Sequence, residues 1–252
     1  MKTLVFLDLD DTLFQTARKC PPGEDVFATS FGKEGQPVSY MTSAQRHFFY
    51  WLSQSGATLI PTTGRSIDAY TRVHLPFSSG AIVHHGATVL KPDGTPDLLW
   101  HARMLHQLED VQTTLQSLLE SAQEFSRIHN LGAEIYWIEE DGLPLYLVAK
   151  HRGLDMDALE RVRQFWLAEI AALENLYLFA NGNNVAVLPR CISKRAAVQY
   201  VLEREKAAGP VLSIGLGDSV SDLEFMSLCD FLMTPRAGQV FGALSRDLTT
   251  FR

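Results

Sequence analysis

Two acidic residues, Asp8 and Asp10, directly follow a short apolar run at residues 4–7. Such a run, with no polar alternation, is typical of a strand buried on both faces of a parallel sheet. Because strand side chains alternate in direction, we expect Asp8 and Asp10 on one side of the chain and Asp11 turned away. Two carboxylates held together repel each other, so one must be protonated or a cation must lie between them. The pattern therefore indicates a binding or catalytic site.

Two other interpretations of this acidic segment are a solvated loop and a calcium-binding loop. Acids after a strand are common in solvated loops and helix caps. A calcium loop would take ligands from Asp8, Asp10 and Thr12, but it needs glycine where Leu13 stands and glutamate where Lys19 stands. The calcium loop is therefore excluded, and the remaining choice depends on which other polar residues accompany the acids.

The segment after the second apolar run offers groups that suit phosphate binding. Residues 57–61 predict another buried strand, and Thr63 and Gly64 follow it. A threonine hydroxyl donates hydrogen bonds, and glycine lets a backbone N–H approach an anion closely. Thr62 supplies the hydroxyl instead if the strand register shifts by one residue.

The last third of the chain adds one lysine and two acids. Lys194 follows Ser193 at the start of a predicted helix, where it supplies a positive point charge or is simply solvated. Asp218 follows a predicted strand at residues 211–216. Asp222 lies four residues later, so one helical turn returns its carboxyl toward a metal or toward Lys194. The alternative for Asp222 is an ordinary acid at a helix N-terminus.

The elements that must position these residues form two groups. The core elements are strands at 4–7, 57–61, 80–83 and 211–216 and helices at 193–207 and 222–228. Another core helix is predicted to start at Thr42 or Ser43 and to stop at Gly56, with an apolar face of Ala44, Phe48, Trp51 and Leu52. Between them lie helices at 104–125 and 155–173 and strand pairs at 133–139 with 143–150 and at 176–180 with 185–188. Helix and hairpin repeated twice predict a separate antiparallel sheet.

We therefore predict an α/β fold, a Rossmann-like three-layer core with a parallel sheet plus an inserted α+β cap of order αββαββ. The core is expected at residues 1–90 and 186–252 and the cap at residues 91–185. Residues 15–40 are rich in proline and glycine, with a predicted hairpin around residues 31–36. Since this segment directly follows the first acids, we expect it to flank the mouth of the site.

Four segments, in order, resemble the motifs of the haloacid dehalogenase-like (HAD) superfamily: DLDDTL, TTGR, the lysine of ISKRAAV, and GLGDSVSD. An insertion between the second and third motifs is similar to the Cof-type subgroup, which includes sucrose-phosphate phosphatase and mannosyl-3-phosphoglycerate phosphatase. The resemblance covers the whole chain in order. Asp11 departs from it where glycine is usual, and Ser221 departs where asparagine is common.

The resemblance implies a Mg²⁺-dependent phosphomonoester hydrolase acting through an aspartyl-phosphate on a small phosphorylated metabolite, such as a sugar or sugar-acid phosphate. It implies that Asp8 is the nucleophile and that Asp10 protonates the leaving oxygen and later activates water. The implied catalytic residues are Asp8, Asp10, Thr63 and Lys194. The implied Mg²⁺ site comprises Asp8, Asp218, Asp10 through its backbone carbonyl, and Asp222 nearby.

Residues that recognise the leaving group are less specifically indicated. The substrate-binding candidates are Gly64, Arg65, His85 and Arg190. Arg65 has the alternative of pairing with a core acid, and His84 and His85 have the alternative of capping a strand end. Four aromatic residues of the predicted cap have two interpretations: they stack on a sugar, or they form the core of the cap, which we favour. They are Tyr136, Trp137, Tyr146 and Phe179. The asparagines at residues 181–184 are interpreted as turn residues.

Two other functions share these motifs. One is a phosphomutase of the phosphomannomutase type, which has a second motif unlike TTGR. The other is a non-catalytic phosphate-binding module, which would not need the proton-transferring acid Asp10. The motif set therefore favours the phosphatase.

The composition and net charge of the chain limit the classes of binding partner and the compartment that we expect. The 252 residues are 46% hydrophobic, which suffices for one large domain or two modest ones. A formal charge of −7 argues against nucleic acid or an anionic membrane as the main partner. Three widely spaced cysteines suit a reducing compartment, and no stretch of about 18 apolar residues occurs, so a cytoplasmic, soluble protein is expected. The oligomeric state is not indicated.

Overall fold

The computed structural model describes residues 1–248, and the chain divides into two compact units. The first unit comprises Met1–Trp100 and the chain from Ser193 onwards, and the second comprises His101–Ile192. Residues 249–252, which belong to the predicted core, lie outside the described residues. The predicted domain boundaries after residues 90 and 185 stay a prediction.

The secondary structure of the described residues follows the order expected of an α/β chain with an insertion. The strands are β1 (Lys2–Leu7), β2 (Val26–Phe31), β3 (Pro37–Thr42), β4 (Thr58–Pro61), β5 (Ala81–Val83), β6 (Thr88–Leu90), β7 (Glu134–Glu140), β8 (Leu143–Lys150), β9 (Leu176–Ala180), β10 (Val185–Pro189), β11 (Val211–Leu216) and β12 (Phe231–Met233). The helices are α1 (Ser43–Gln54), α2 (Ile67–Thr71), α3 (Leu98–Glu109), α4 (Gln112–Ile128), α5 (Met156–Ile170), α6 (Lys194–Ala208), α7 (Leu223–Met226) and α8 (Gln239–Leu248). Within residues 1–248, none of these helices has both the length and the apolar character to cross a membrane.

The first unit is built on a parallel sheet with strand order β12-β11-β1-β4. The apolar side chains of β1 are fully buried from Leu4 to Leu7, as the unbroken apolar run predicts. Leu7 pairs with Leu216 of β11 on one side and with Pro61 of β4 on the other. The residues that follow these three strand ends therefore meet at one edge of the sheet, and the predicted α/β core is confirmed.

Helix α1 begins and ends as predicted, but its buried face differs. Thr42 is the N-cap and forms a capping box with Gln45. The buried residues are Phe49 and Leu52, whereas Ala44 and Trp51 of the predicted face are exposed. The predicted face was wrong at these positions because β3 runs directly into the helix, so the cap at Thr42 determines which residues turn inward.

The predicted hairpin within residues 15–40 is present as β2 and β3, which pair antiparallel. It is attached to the segment after α2 by backbone hydrogen bonds: Phe31 N donates to Arg72 O at 3.1 Å, and His74 N donates to Thr29 O at 2.8 Å. An isolated bridge between Ser30 and Val73 continues this contact. The hairpin is therefore fixed to the chain that follows TTGR.

The second unit contains a four-stranded antiparallel sheet of order β7-β8-β10-β9, together with α4 and α5. Both predicted hairpins of the cap are confirmed. The single helix predicted at residues 104–125 was wrong, because the structure has two helices, α3 and α4. Val111 N donates to Leu108 O at 3.2 Å in a tight turn between them. The apolar periodicity continues across this turn through buried Leu108, Val111 and Leu115, which is why the pattern alone suggested one helix.

Candidate active site

The carboxyl edge of the parallel sheet brings together the predicted residues of β1 and β11. Asp8 N donates to Leu216 O at 2.8 Å, so Asp8 lies immediately beside the segment leading to Asp218. On the other side, Thr62 N donates to Leu7 O at 2.7 Å. Parallel pairing therefore places three of the four motifs around the end of β1.

Lys194, the first residue of α6, is the lysine of the remaining motif, ISKRAAV, and it contacts two of the acids. Its Nζ lies 2.7 Å from Asp8 Oδ1 and 2.7 Å from Asp222 Oδ1. The Asp8 and Asp222 side chains are 8% and 1% exposed, so both ion pairs are shielded from solvent. The sequence positions of these partners differ by 186 and 28 residues, and the fold alone brings them into contact.

The three acids Asp8, Asp218 and Asp222 form one cluster, in which one oxygen of each lies within 4.8 Å of the others. Thr12 joins two of them, because its hydroxyl lies 3.2 Å from both Asp8 Oδ2 and Asp218 Oδ1. The sequence analysis considered Thr12 only as a calcium ligand and missed this role. Its position four residues after Asp8, on a chain that turns back, was the available signal.

Asp222 is held by the turn that precedes α7. Its Oδ2 accepts hydrogen bonds from Ser219 N at 3.1 Å and from Ser219 Oγ at 2.7 Å. Ser219 was not identified from the sequence, although a serine three residues before an acid is the signature of such a capping box. With Oδ1 bound to Lys194, Asp222 orients the lysine in addition to contributing charge to the cluster.

Burial dominates the electrostatics of the cluster. It raises the pKa of Asp8 to about 7, with Lys194 acting in the opposite direction and the charges of Asp222 and Asp10 adding to the increase. Burial and the neighbouring Asp222 raise the pKa of Asp218 to about 6. Burial alone would lower the pKa of Lys194, but Asp8 and Asp222 outweigh it and raise that pKa, so the lysine is charged.

The acid cluster fits a hard divalent cation. Three buried carboxyl groups face one ammonium group, so the charged cluster carries two uncompensated negative charges. Oxygen ligands of this kind are those that Mg²⁺ prefers. Both oxygens of Asp222 accept hydrogen bonds from Lys194 or Ser219, and both oxygens of Asp8 accept hydrogen bonds from Lys194 or Thr12. Asp218 accepts one such bond, from Thr12, so its carboxylate is the most available to a cation.

Asp10 is held in a different way from the cluster acids. Its side chain is 45% exposed and forms a two-pronged ion pair with Arg65, whose Nε and Nη2 lie 2.7 Å from Oδ2 and Oδ1. The same guanidinium donates to Ser30 Oγ of β2 at 2.9 Å. The alternative in which Arg65 pairs with a core acid is therefore the contact that the structure contains.

The residues after β4 have distinct surroundings. Thr62 is fully buried and its hydroxyl donates to Ile60 O at 3.2 Å, within its own strand. Thr63 is also buried, but its Oγ1 accepts from Arg65 N at 3.2 Å, at the loop that follows. This geometry favours Thr63 over Thr62. The ring of His85 lies directly against Gly64.

The remaining candidates lie in the second unit. Arg190 Nε donates to Glu174 O at 2.7 Å. Asn183 lies between the paired strands β9 and β10, in agreement with its interpretation as a turn residue. It accepts from His151 N at 3.1 Å and donates to His151 O at 3.0 Å, which links this turn to the residue after β8. Trp137 Nε1 contacts Gln116 of α4 at 3.3 Å.

The other aromatic candidates of this unit are distributed over its sheet. In the register of the sheet, Tyr136 of β7 pairs with Val148 of β8. Val148 also pairs with Ala186 of β10, and Ala186 pairs with Phe179 of β9. Tyr136 and Phe179 therefore share a face of the sheet, which is the face opposite to that of Trp137.

The sequence matches no protein-family model and no curated protein. Solved structures do match. The C-terminal domain of trehalose-6-phosphate phosphatase from C. albicans is 15% identical, with a TM-score of 0.55 over 90% of this chain and 73% of that one. Sucrose-phosphatase from Synechocystis, solved with sucrose and phosphate, is 15% identical, with a TM-score of 0.55 over 97% and 87%.

The description of a third similar structure identifies the fold. A haloacid dehalogenase-like hydrolase from Bacteroides thetaiotaomicron is 12% identical, with a TM-score of 0.51 over 98% of this chain and 99% of that one. The chain has the HAD-like fold. The resemblance inferred from the four motifs is thereby confirmed for the fold, including the inserted α+β segment.

One departure of this chain from the usual HAD-like motif has a local explanation. Asp11, which stands where glycine is usual, has a φ of 63°, in the left-handed region that glycine adopts most readily. Aspartate is among the few other residues that tolerate this region. Its carboxylate pairs with Lys19, so the side chain has its own cation.

Proposed function

We propose that this protein is a Mg²⁺-dependent phosphomonoester hydrolase that uses Asp8 as its nucleophile. The observation that carries the proposal is the contact of Lys194 with Asp8 at 2.7 Å within a cluster of three buried carboxyl groups. A phosphoryl group needs an in-line nucleophile and positive charge around its oxygens. Asp8 supplies the nucleophile and Lys194 supplies the charge.

The proposed reaction has two steps, transfer of the phosphoryl group to Asp8 and hydrolysis of the resulting aspartyl-phosphate. In the first, an Asp8 oxygen attacks phosphorus and the bond from phosphorus to the leaving oxygen breaks. Asp10, which enters this step protonated, gives its proton to that oxygen and becomes a carboxylate. In the second, Asp10 takes a proton from water as the water oxygen attacks phosphorus. The bond from phosphorus to Asp8 then breaks, which releases inorganic phosphate and restores both carboxyl groups.

The supporting residues have assigned parts in this proposal. Lys194 balances charge on the phosphate, Thr63 and Gly64 offer a hydroxyl and a backbone N–H to its oxygens, and Arg65 fixes the carboxyl of Asp10. Asp8 and Asp218 would hold Mg²⁺, together with the backbone carbonyl of Asp10. When bound, this ion supplies positive charge that offsets the acid cluster and the phosphate.

We propose a sugar phosphate as the substrate. Two structures that share the fold bear the names trehalose-6-phosphate phosphatase and sucrose-phosphatase, which supports this class.

The direct test is a panel of sugar phosphates and sugar-acid phosphates incubated with the purified protein and Mg²⁺. We expect released phosphate from a sugar phosphate with the parent and with Asp157→Asn, which changes an exposed acid of α5. We expect no turnover above background with Asp8→Asn. Release that is equal in parent and Asp8→Asn would exclude Asp8 as the nucleophile, and no release from any compound would refute the hydrolase.

A further inference from the structure

The turn after β5 is unusual, because three consecutive residues have positive φ. The values are 51° at His84, 57° at His85 and 104° at Gly86. For residues other than glycine, this region costs on the order of 1–3 kcal/mol each. Such a conformation persists only where surrounding contacts enforce it, and backbone strain of this kind concentrates at functional sites.

The contacts that enforce the turn come from the segment carrying the second motif. His84 N donates to Arg65 O at 2.7 Å, and His85 N donates to Thr63 O at 3.1 Å. From the opposite direction, Thr63 N donates to Ile82 O at 2.8 Å. The turn and the Thr63–Arg65 segment are therefore fastened to each other on both sides of Gly64.

The turn also contacts the start of α6. A Cβ atom placed on Gly86 would lie 2.3 Å from Ser193 O and 2.8 Å from Lys194 N, so the backbone of the turn packs directly against the residue that contacts Asp8. At its other end, a Cβ atom on Gly64 would lie 2.4 Å from Cε1 and 2.6 Å from Nε2 of His85. The turn thus fills the space between Gly64 and the first turn of α6.

We propose that His85 is a positioning residue, whose ring, wedged against Gly64, sets the separation between the Thr63–Gly64 backbone and Lys194 and so fits the site to a phosphate group. This inference rests on the proposed function and deepens it. Neither reaction step uses His85, and its sequence position left open whether it contacts the substrate or caps a strand end.

Two further observations favour positioning over charge. Burial, assisted by the positive charge of Lys194, lowers the pKa of His85 to about 3, so the ring is neutral near pH 7 and adds no cation to the site. Within the described residues, the Gly64 amide donates to no protein acceptor. A neutral wedge that holds this amide in place leaves its N–H available for a phosphate oxygen.

The test compares His85→Asn, Gly64→Ala and the double variant with the parent. Asparagine tolerates the left-handed conformation, so His85→Asn removes the ring while keeping the turn. His106→Asn, at an exposed histidine of α3, is the matched control. The readouts are kcat and KM with p-nitrophenyl phosphate, the inhibition constant of inorganic phosphate, and the thermal unfolding midpoint.

We expect His85→Asn to raise KM and the phosphate inhibition constant about tenfold, with a smaller change in kcat and a midpoint close to that of the parent. Gly64→Ala should be more damaging than His85→Asn in the parent background, because its methyl group meets the ring. In the His85→Asn background, the same change should add little, since the ring is gone. His106→Asn should behave as the parent.

Two results would overturn the wedge. One is a phosphate inhibition constant in His85→Asn equal to that of the parent, and the other is equal damage from Gly64→Ala in both backgrounds. Either can occur in an active hydrolase, so the proposed function would stand. If the parent hydrolyses nothing, the proposed function fails, and the wedge is tested by the shift that inorganic phosphate causes in the unfolding midpoint of the same five proteins. A shift in His85→Asn equal to that of the parent would overturn the wedge, and a smaller shift would support it.

Discussion

Arg65 donates hydrogen bonds to both carboxylate oxygens of Asp10, from Nε to Oδ2 at 2.7 Å and from Nη2 to Oδ1 at 2.7 Å. The third nitrogen of the same guanidinium reaches Ser30 Oγ at 2.9 Å and Ala69 O at 3.3 Å. The planar fork of arginine is what allows all four contacts at once. Arg65 therefore joins the proposed proton-transferring acid to the β2–β3 hairpin, and this relationship gives the hairpin a part in the site.

Arg65→Lys is expected to lower kcat about tenfold or more, because a lysine ammonium cannot hold both oxygens of Asp10 and proton transfer depends on the placement of that carboxyl. The measurement is steady-state kinetics on the best substrate of the panel. Arg163→Lys is the matched control, since Arg163 pairs with Glu160 on the surface of α5 and should retain parent activity. Equal kcat for Arg65→Lys and the parent would contradict the role of the fork.

Ser30→Ala is expected to reduce kcat less than Arg65→Lys does, by about a few-fold. The substitution removes one acceptor of Arg65 but leaves its pair with Asp10 in place. Ser117→Ala, which removes an exposed hydroxyl from α4, serves as the comparison in the same assay. If Ser30→Ala were as damaging as Arg65→Lys, the hairpin would act through more than this hydrogen bond.

Mg²⁺ is expected to raise the thermal unfolding midpoint of the parent and to do so much less in Asp218→Asn. The cation relieves the repulsion among three buried carboxyl groups, and a ligand that binds only the folded state stabilises it. Differential scanning calorimetry with added Mg²⁺ or EDTA measures the effect. Asp157→Asn, outside the cluster, should keep the full shift. An identical Mg²⁺ shift in Asp218→Asn and the parent would place the ion elsewhere.

His84 is expected to lower the free energy of unfolding on acidification between about pH 6.5 and pH 4, whereas the raised pKa values of Asp8 and Asp218 act in the opposite direction. Burial lowers the pKa of His84 from its ordinary 6.5 to about 4. In this window the unfolded chain binds a proton that the folded chain does not, so the contribution is complete above pH 6.5 and is lost as the pH falls. As the pH falls through this window, the free energy of unfolding of His84→Asn should therefore decrease less, or increase more, than that of the parent.

Urea unfolding at a series of pH values across this window measures the effect. Asparagine is chosen because it tolerates the φ of 51° at this position. His106→Asn should reproduce the slope of the parent, because His106 is 87% exposed. A slope for His84→Asn equal to that of the parent would mean that this histidine is protonated equally in the folded and unfolded chains.

The amino-acid sequence by itself determined the order of elements and the clustering of the motifs. An unbroken apolar run before Asp8 specifies a central parallel strand, and Leu7 does lie between β4 and β11. Once the strands are parallel, polar residues after them must share one edge, so the meeting of Asp8 with Asp218 followed from local patterns alone. The alternation of helix and hairpin likewise predicted the sheet of the second unit.

Only the tertiary structure decided which partners these residues take. Arg65 and Asp10 are 55 residues apart, and no local pattern separates a substrate-binding arginine from one that grips an acid. The same holds for Thr12 between Asp8 and Asp218 and for the ring of His85 against Gly64. Local propensity and periodicity act over a few residues, whereas these contacts depend on backbone placement, side-chain direction and burial that arise only when distant segments pack together.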